Sequence, residues 1–255
     1  VFSSEVLAKT HTTTASQKSH LTKASNKQVS SKQEYSRNSA KSSSLPDLRK
    51  YPSGTPRKKA FLRTVMPYIT SQNAAITAER NWLISKQYQG QWSPAERARL
   101  KDIAKRYKVK WSGNTRKIPW NTLLERVDII PTSMVATMAA AESGWGTSKL
   151  ARNNNNLFGM KCMKGRCTNA PGKVKGYSQF SSVKESVSAY VTNLNTHPAY
   201  SSFRKSRAQL RKADQEVTAT AMIHKLKGYS TKGKSYNNYL FAMYQDNQRL
   251  IAAHM

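Results

Sequence analysis

Pro131-Thr132-Ser133-Met134-Val135-Ala136-Thr137-Met138-Ala139-Ala140-Ala141-Glu142-Ser143-Gly144-Trp145-Gly146 is small or apolar almost throughout, with a single carboxylate near its end. A segment apolar on every side predicts a buried helix over 134–142, at the heart of a mainly helical fold. Its three consecutive alanines allow other backbone to come close. The helix is expected to stop at Gly144, which places Glu142 near the negative end of the helix dipole. Val135, Met138 and Ala139 share its face at i−7, i−4 and i−3. Apolar neighbours and the dipole both disfavour the ionised form, so a neutral, proton-donating Glu142 is expected. It is also the only acid between Asp128 and Glu185.

Working outward, helical patterns run on both sides of this segment. Phe61, Leu62, Val65, Met66 and Ile69 recur at helical spacing, with Pro67 expected to kink or end that helix. A second helix is expected from Ala74 past Leu83. Ser93-Pro94-Ala95-Glu96 reads as an N-cap, a first-turn proline and an early acid. The helix that it opens carries Leu100, Ile103, Ala104 and Tyr107, and Gly113-Asn114 breaks the pattern. A short amphipathic stretch spans Trp120 to Ile130. Later helices are expected over 183–194, 215–226 and 236–254. Between Phe158 and Phe180 short alternating pieces among Gly, Pro and Lys predict a small β-hairpin lobe. The fold class is therefore α+β, mainly α.

The chain has 255 residues and a net charge of +30. Residues 9–59 carry twelve Lys or Arg against two acids, among Ser, Thr, Gln and Asn. Such a segment buries too little apolar area to offset its chain entropy, so a disordered basic segment is expected there. Residues 60–255 still carry 31 basic and 10 acidic side chains, a net +21. The octet 1–8 ends with Val6 and Ala8 at the small-residue places of a signal-peptide cleavage region, which predicts export to the periplasm; a chance apolar octet is the alternative. No run of about 18 apolar residues occurs, so no spanning helix is expected.

Cys162 and Cys167 are the only cysteines. With Lys164-Gly165 as a turn they face each other across a hairpin, within disulfide reach, and free thiols are the alternative. Two cysteines with no nearby His make a poor zinc site, so no metal and no cofactor are expected. Trp145, between two glycines, offers a flat ring for a sugar face; a core tryptophan flanked by turn glycines is the other reading.

Several motifs, in order, resemble family 73 glycoside hydrolases, the β-N-acetylglucosaminidases of peptidoglycan. They are the Ala139–Gly146 run, Asn155-Asn156-Leu157-Phe158-Gly159, Tyr177-Ser178-Gln179-Phe180 with Glu185, His197-Pro198-Ala199-Tyr200, and Gly228-Tyr229-Ser230-Thr231 with Tyr236. The resemblance implies a lysozyme-like helical lobe over 119–255, preceded by extra helices over 60–118. It implies Glu142 as general acid and Tyr229 as an aromatic hydroxyl beside the reacting sugar, although Tyr229 also reads as an ordinary packed tyrosine. Trp145, Asn156, Phe158, Tyr177 and Tyr236 would line the sugar groove, and the Asn153–Asn156 run also reads as a polar turn. Peptidoglycan strands would be the partner, with no specific nucleic acid.

Two departures stand out. No acid occurs in 143–184, where many members of that family place a second carboxylate, so a carboxylate pair is not available from the expected segment. The substrate's own 2-acetamido oxygen as nucleophile is one way out, and Asp214 or Asp246 is another. Lys232 stands near the family's Asp in the Tyr229 loop. A lytic transglycosylase, a non-catalytic wall-binding module and a basic nucleic-acid binder are the competing classes.

Overall fold

The computed structural model describes residues 44–162, 167, 170–226 and 233–255. The signal-like octet, most of the basic segment, the Lys164-Gly165 turn, Tyr229 and Lys232 lie outside the described residues. Residues 44–255 form one compact unit. No helix among the described residues is long and apolar enough to cross a membrane.

Helix α1 (Thr55–Lys86) runs unbroken through Pro67. A mid-helix proline removes one hydrogen bond and crowds the carbonyl four residues before it. Both Pro67 and Arg63 are exposed, so the freed carbonyl faces water while Phe61, Leu62, Val65, Met66 and Ile69 stay buried. Packing on one side overrides the local penalty on the other, and the two helices expected here are one. Residues 44–59, within the segment expected to be disordered, are part of the packed structure. Leu48 is fully buried, and Arg57 donates to the carbonyls of Leu48 and Tyr51, pinning this segment to the start of α1.

Helix α2 (Pro94–Arg106) opens as expected, with a capping box in which Ser93 and Glu96 exchange hydrogen bonds. Helix α3 (Trp120–Arg126) leads into α4 (Thr132–Ser143), the buried helix. Then come α5 (Lys149–Asn154), α6 (Val183–Thr196), α7 (Ser201–Lys212), α8 (Ala219–Met222) and α9 (Lys234–Ala252). Helices α1 and α9 both pack on α4, and α1 also packs on α6. With the sequence expecting helix over 215–226, only α8 and a short 3-10 turn over Ile223–Lys225 form there.

Helix α7, Ser-Ser-Phe-Arg-Lys-Ser-Arg-Ala-Gln-Leu-Arg-Lys, shows no apolar stripe in sequence, yet Phe203, Arg204 and Arg207 face the core. Arg204 donates to the carbonyls of Leu194 and His197 at the end of α6, while the target of Arg207 is the segment joining α3 to α4. Arg207 donates to the carbonyls of Glu125, Asp128 and Ile129, and Arg80 of α1 to those of Leu124 and Val127. These guanidiniums satisfy carbonyls that the end of α3 leaves open. At the centre lies Asp128, 1% exposed and held by Arg211 through two bonds of 2.8 and 3.0 Å. Burial pushes its carboxyl up, but the Arg211 hydrogen bond and the charges of Arg207 and Arg80 outweigh that and hold it below the usual range. Burial pushes Arg207 down to about 10 in spite of Asp128.

The expected β-hairpin lobe is not seen among the described residues. The region holds two isolated antiparallel bridges, Lys161 with Tyr177 and Cys167 with Ser178, and no sheet among the described residues. The backbone groups that a ladder would pair are taken by asparagines instead. Asn153 donates to Gly172, Asn154 to Val174 and Ser178, Asn155 to Phe180, and Asn156 to Met160 and Ser178. Buried backbone groups demand partners, and here asparagine side chains supply many of them. Cys162 and Cys167 are joined in a disulfide with Cα atoms 5.2 Å apart.

Candidate active site

Helix α4 ends in three successive left-handed residues, Gly144 (φ 56°), Trp145 (φ 56°) and Gly146 (φ 79°). Ser143 ties the turn together: its hydroxyl donates to the Ala139 carbonyl and accepts from the Gly146 N–H at 2.8 Å. Such a conformation costs a non-glycine residue about 1–2 kcal/mol, so Trp145 needs outside support. Phe61 of α1 meets its ring edge-on at 5.6 Å, and the Lys58 ammonium lies 5.1 Å from the ring centroid. Lys58 in turn donates to Asn247 of α9 at 2.7 Å. Gly146 is fixed by the same approach, because a Cβ there would lie 2.5 Å from Leu48 and 3.1 Å from Phe61.

This turn sets the position of Glu142, which is half-buried one residue before the end of α4. Tyr236, in the first turn of α9, donates its hydroxyl to Glu142 Oε1. On the other oxygen, a Cβ at Gly159 would sit 3.2 Å from Oε2, and Gly159 has φ 63°. The 159 backbone therefore passes close to the carboxyl, and only glycine suits both the conformation and the space. One oxygen is held by a tyrosine, and the other faces a bare stretch of chain.

Around this centre the expected groove residues divide. Tyr236 touches Glu142 directly. Phe158 is buried and stacks on Tyr190 at 4.0 Å, and the Tyr190 hydroxyl meets Met138 Sδ, one turn before Glu142. Asn156 is 1% exposed; its amide donates to two carbonyls and accepts from the Met160 N–H at 3.0 Å. Phe158 and Asn156 thus shape the loop that presents Gly159. Tyr177 is half-buried opposite Lys161, whose ammonium donates to its hydroxyl at 2.9 Å and lies over its ring. Trp145 is half-buried with its ring engaged by Phe61 and Lys58.

Among the remaining acids, Glu185 closes the start of α6, accepting from the Ser181 N–H and hydroxyl. Asp214 sits exposed in the turn after α7. Asp246 is exposed on α9, ten residues beyond Tyr236, or roughly 15 Å along the helix. Paired glycosidase carboxyls stand about 5 to 9.5 Å apart, so Asp246 is far from the Tyr236 end where Glu142 sits. No group of His, Cys, Asp and Glu among the described residues is arranged to hold a metal ion.

The sequence left the Phe61 and Lys58 support of Trp145, and the approach of Leu48 to Gly146, unread. The one signal was Gly146, whose missing side chain leaves the space that Leu48 and Phe61 approach. A family model described as Glucosaminidase, mannosyl-glycoprotein endo-beta-N-acetylglucosaminidase, matches residues 119–249, just over half of the chain. No solved structure matches it.

Proposed function

Because the chain belongs to the glucosaminidase family and is a glycoside hydrolase of the endo-β-N-acetylglucosaminidase type, we propose that it cuts the β-1,4 bond after N-acetylglucosamine in peptidoglycan, with Glu142 as general acid. The observation that carries this is the Glu142 carboxyl, with Tyr236 on one oxygen and the Gly159 backbone beside the other. An acid so held can pass its proton to the leaving glycosidic oxygen without first reorienting. The family description names a mannosyl-glycoprotein substrate. A net +21 over residues 60–255 favours the carboxylate-bearing wall polymer over neutral mannose chains.

The lone carboxylate points to substrate assistance. As Glu142 protonates the leaving oxygen, the 2-acetamido carbonyl oxygen of the same sugar attacks its C1 from the opposite face. Water then opens the cyclic intermediate and restores the acetamido group, with Glu142 taking back a proton. Tyr229, outside the described residues, is proposed to stabilise the charge that develops at the sugar. Trp145 and Tyr177 are proposed as sugar contacts, with Asn156 and Phe158 shaping the loop behind them. The periplasm is the proposed site of action.

A single-acid site also serves lytic transglycosylases, so product chemistry decides. Mass spectrometry of digested peptidoglycan is expected to give reducing N-acetylglucosamine ends. Products ending in 1,6-anhydro-muramic acid would assign the chain to the transglycosylase reaction.

A further inference from the structure

The turn after α1 carries a surface that the fold does not require. Tyr88 is 95% exposed, and Ile84, one turn earlier, is 46% exposed. Directly after Tyr88, the residues Gln89, Gln91, Trp92, Arg97, Thr115 and Arg116 line an open cavity of about 520 Å³ that has no acid in its lining. Trp92 is buried and forms a row of indoles with Trp82 (6.4 Å) and Trp120 (6.3 Å), which makes the cavity wall rigid. Arg97 donates to the Trp92 carbonyl, which fixes its guanidinium at the edge. The Arg116 guanidinium has no hydrogen bond or ion pair among the described residues, and its residue is exposed.

The neighbouring acid does not neutralise this site. Glu96 is paired with Lys86 at 2.5 Å and closes the capping box on Ser93. Lys86 first, and then the Ser93 N–H, hold its carboxyl down at about 2. Two guanidiniums without a carboxylate select an anion, and planar carboxylates suit their geometry best. Tyr88, 95% exposed and next in sequence to the lining residue Gln89, offers an apolar ring face of the kind that meets a sugar.

Distance sets the role. Phe61 touches Trp145 near one end of α1, and Lys86 at the other end is 25 residues on, roughly 38 Å along the helix. The cavity is therefore far outside the reach of the sugar being cut, and all of its residues precede the matched family segment. We infer that it is a second, non-catalytic docking site for a carboxylate-bearing glycan. A peptidoglycan strand is gripped through its stem carboxylates by Arg116 and Arg97, with a sugar face on Tyr88. This inference rests on the peptidoglycan reading above. Docking there raises the effective concentration of polymer at Glu142 and does nothing for a fragment too short to span both places.

The full chain carrying Tyr88→Ala and Arg116→Gln tests it, both positions being exposed and outside the core. Co-sedimentation with purified sacculi at about 0.15 M salt is expected to weaken roughly tenfold. Cleavage of a soluble fragment of two disaccharide-peptide units stays at the wild-type rate. Sacculi whose carboxyls have been amidated should hold the wild type as weakly as untreated sacculi hold the variant. Unchanged sedimentation of the variant would overturn the inference, and so would an equal loss of binding to duplex DNA, which would mark a general polyanion surface. Should wild type sediment with sacculi but never cut them, the hydrolase reading falls while the docking site is still decided by the variant.

Discussion

At the scale of the residue, Glu142 was legible because an isolated carboxylate ends an apolar helix, and the structure gives it two neighbours of different kinds. Tyr236, expected to line the groove, donates its hydroxyl to the carboxyl itself. A hydrogen bond to an ionisable partner is worth about 1.5–3 kcal/mol, so Tyr236→Phe should lower kcat about 10- to 100-fold and leave KM within about twofold. A fall in affinity with kcat preserved would return Tyr236 to substrate binding. Asn156 illustrates the reverse case. Its place in a motif suggested a ligand contact, but motif position does not say which way an amide faces, and here backbone takes both ends.

At the scale of the element, the sequence revealed elements whose signals are local. The Ser93–Glu96 box opens α2 because both partners lie within one turn, and α4 ends at Gly144 because a left-handed residue is needed there. Pro67 misled because its penalty is local while the packing that overrides it comes from α4 and α6. Helix α7 was hidden because its core face is partly arginine, which reads as solvated unless Asp128 and the α3 carbonyls are known. That buried cluster predicts a pH response. The folded Asp128 carboxyl lies below its unfolded value of about 3.9, so its contribution is fully present above that value. It is lost as pH falls through the lower, folded value. Urea midpoints should hold from pH 7 to 5 and fall below about pH 4. Asp128→Asn should cost about 3–5 kcal/mol at pH 7 and reduce that fall, since it strands three arginines. A cost below about 1 kcal/mol would show that the cluster is dispensable.

At the scale of the whole molecule, the family segment begins at 119 but the packed unit begins at 44. Leu48 and Phe61 fill the space that Gly146 leaves open, and α1 covers faces of α4 and α6. No sequence signal marked this dependence, because contacts between distant segments leave no periodicity in either one. Residues 119–255 expressed alone are expected to lack a cooperative thermal transition, the exposed faces of α4 and α6 having lost a partner. A cooperative melt with wild-type cleavage would show that the N-terminal helices are an addition and not a support.

The most direct test of the whole reading is the rate at which new reducing ends appear in peptidoglycan with Glu142→Gln, set against wild type. Glutamine keeps the shape and still accepts from Tyr236 but has no proton to give. The expected result is a loss of about 10²- to 10⁴-fold with sedimentation on sacculi retained. Cleavage within about tenfold of wild type would contradict it, and Glu142 would not be the acid.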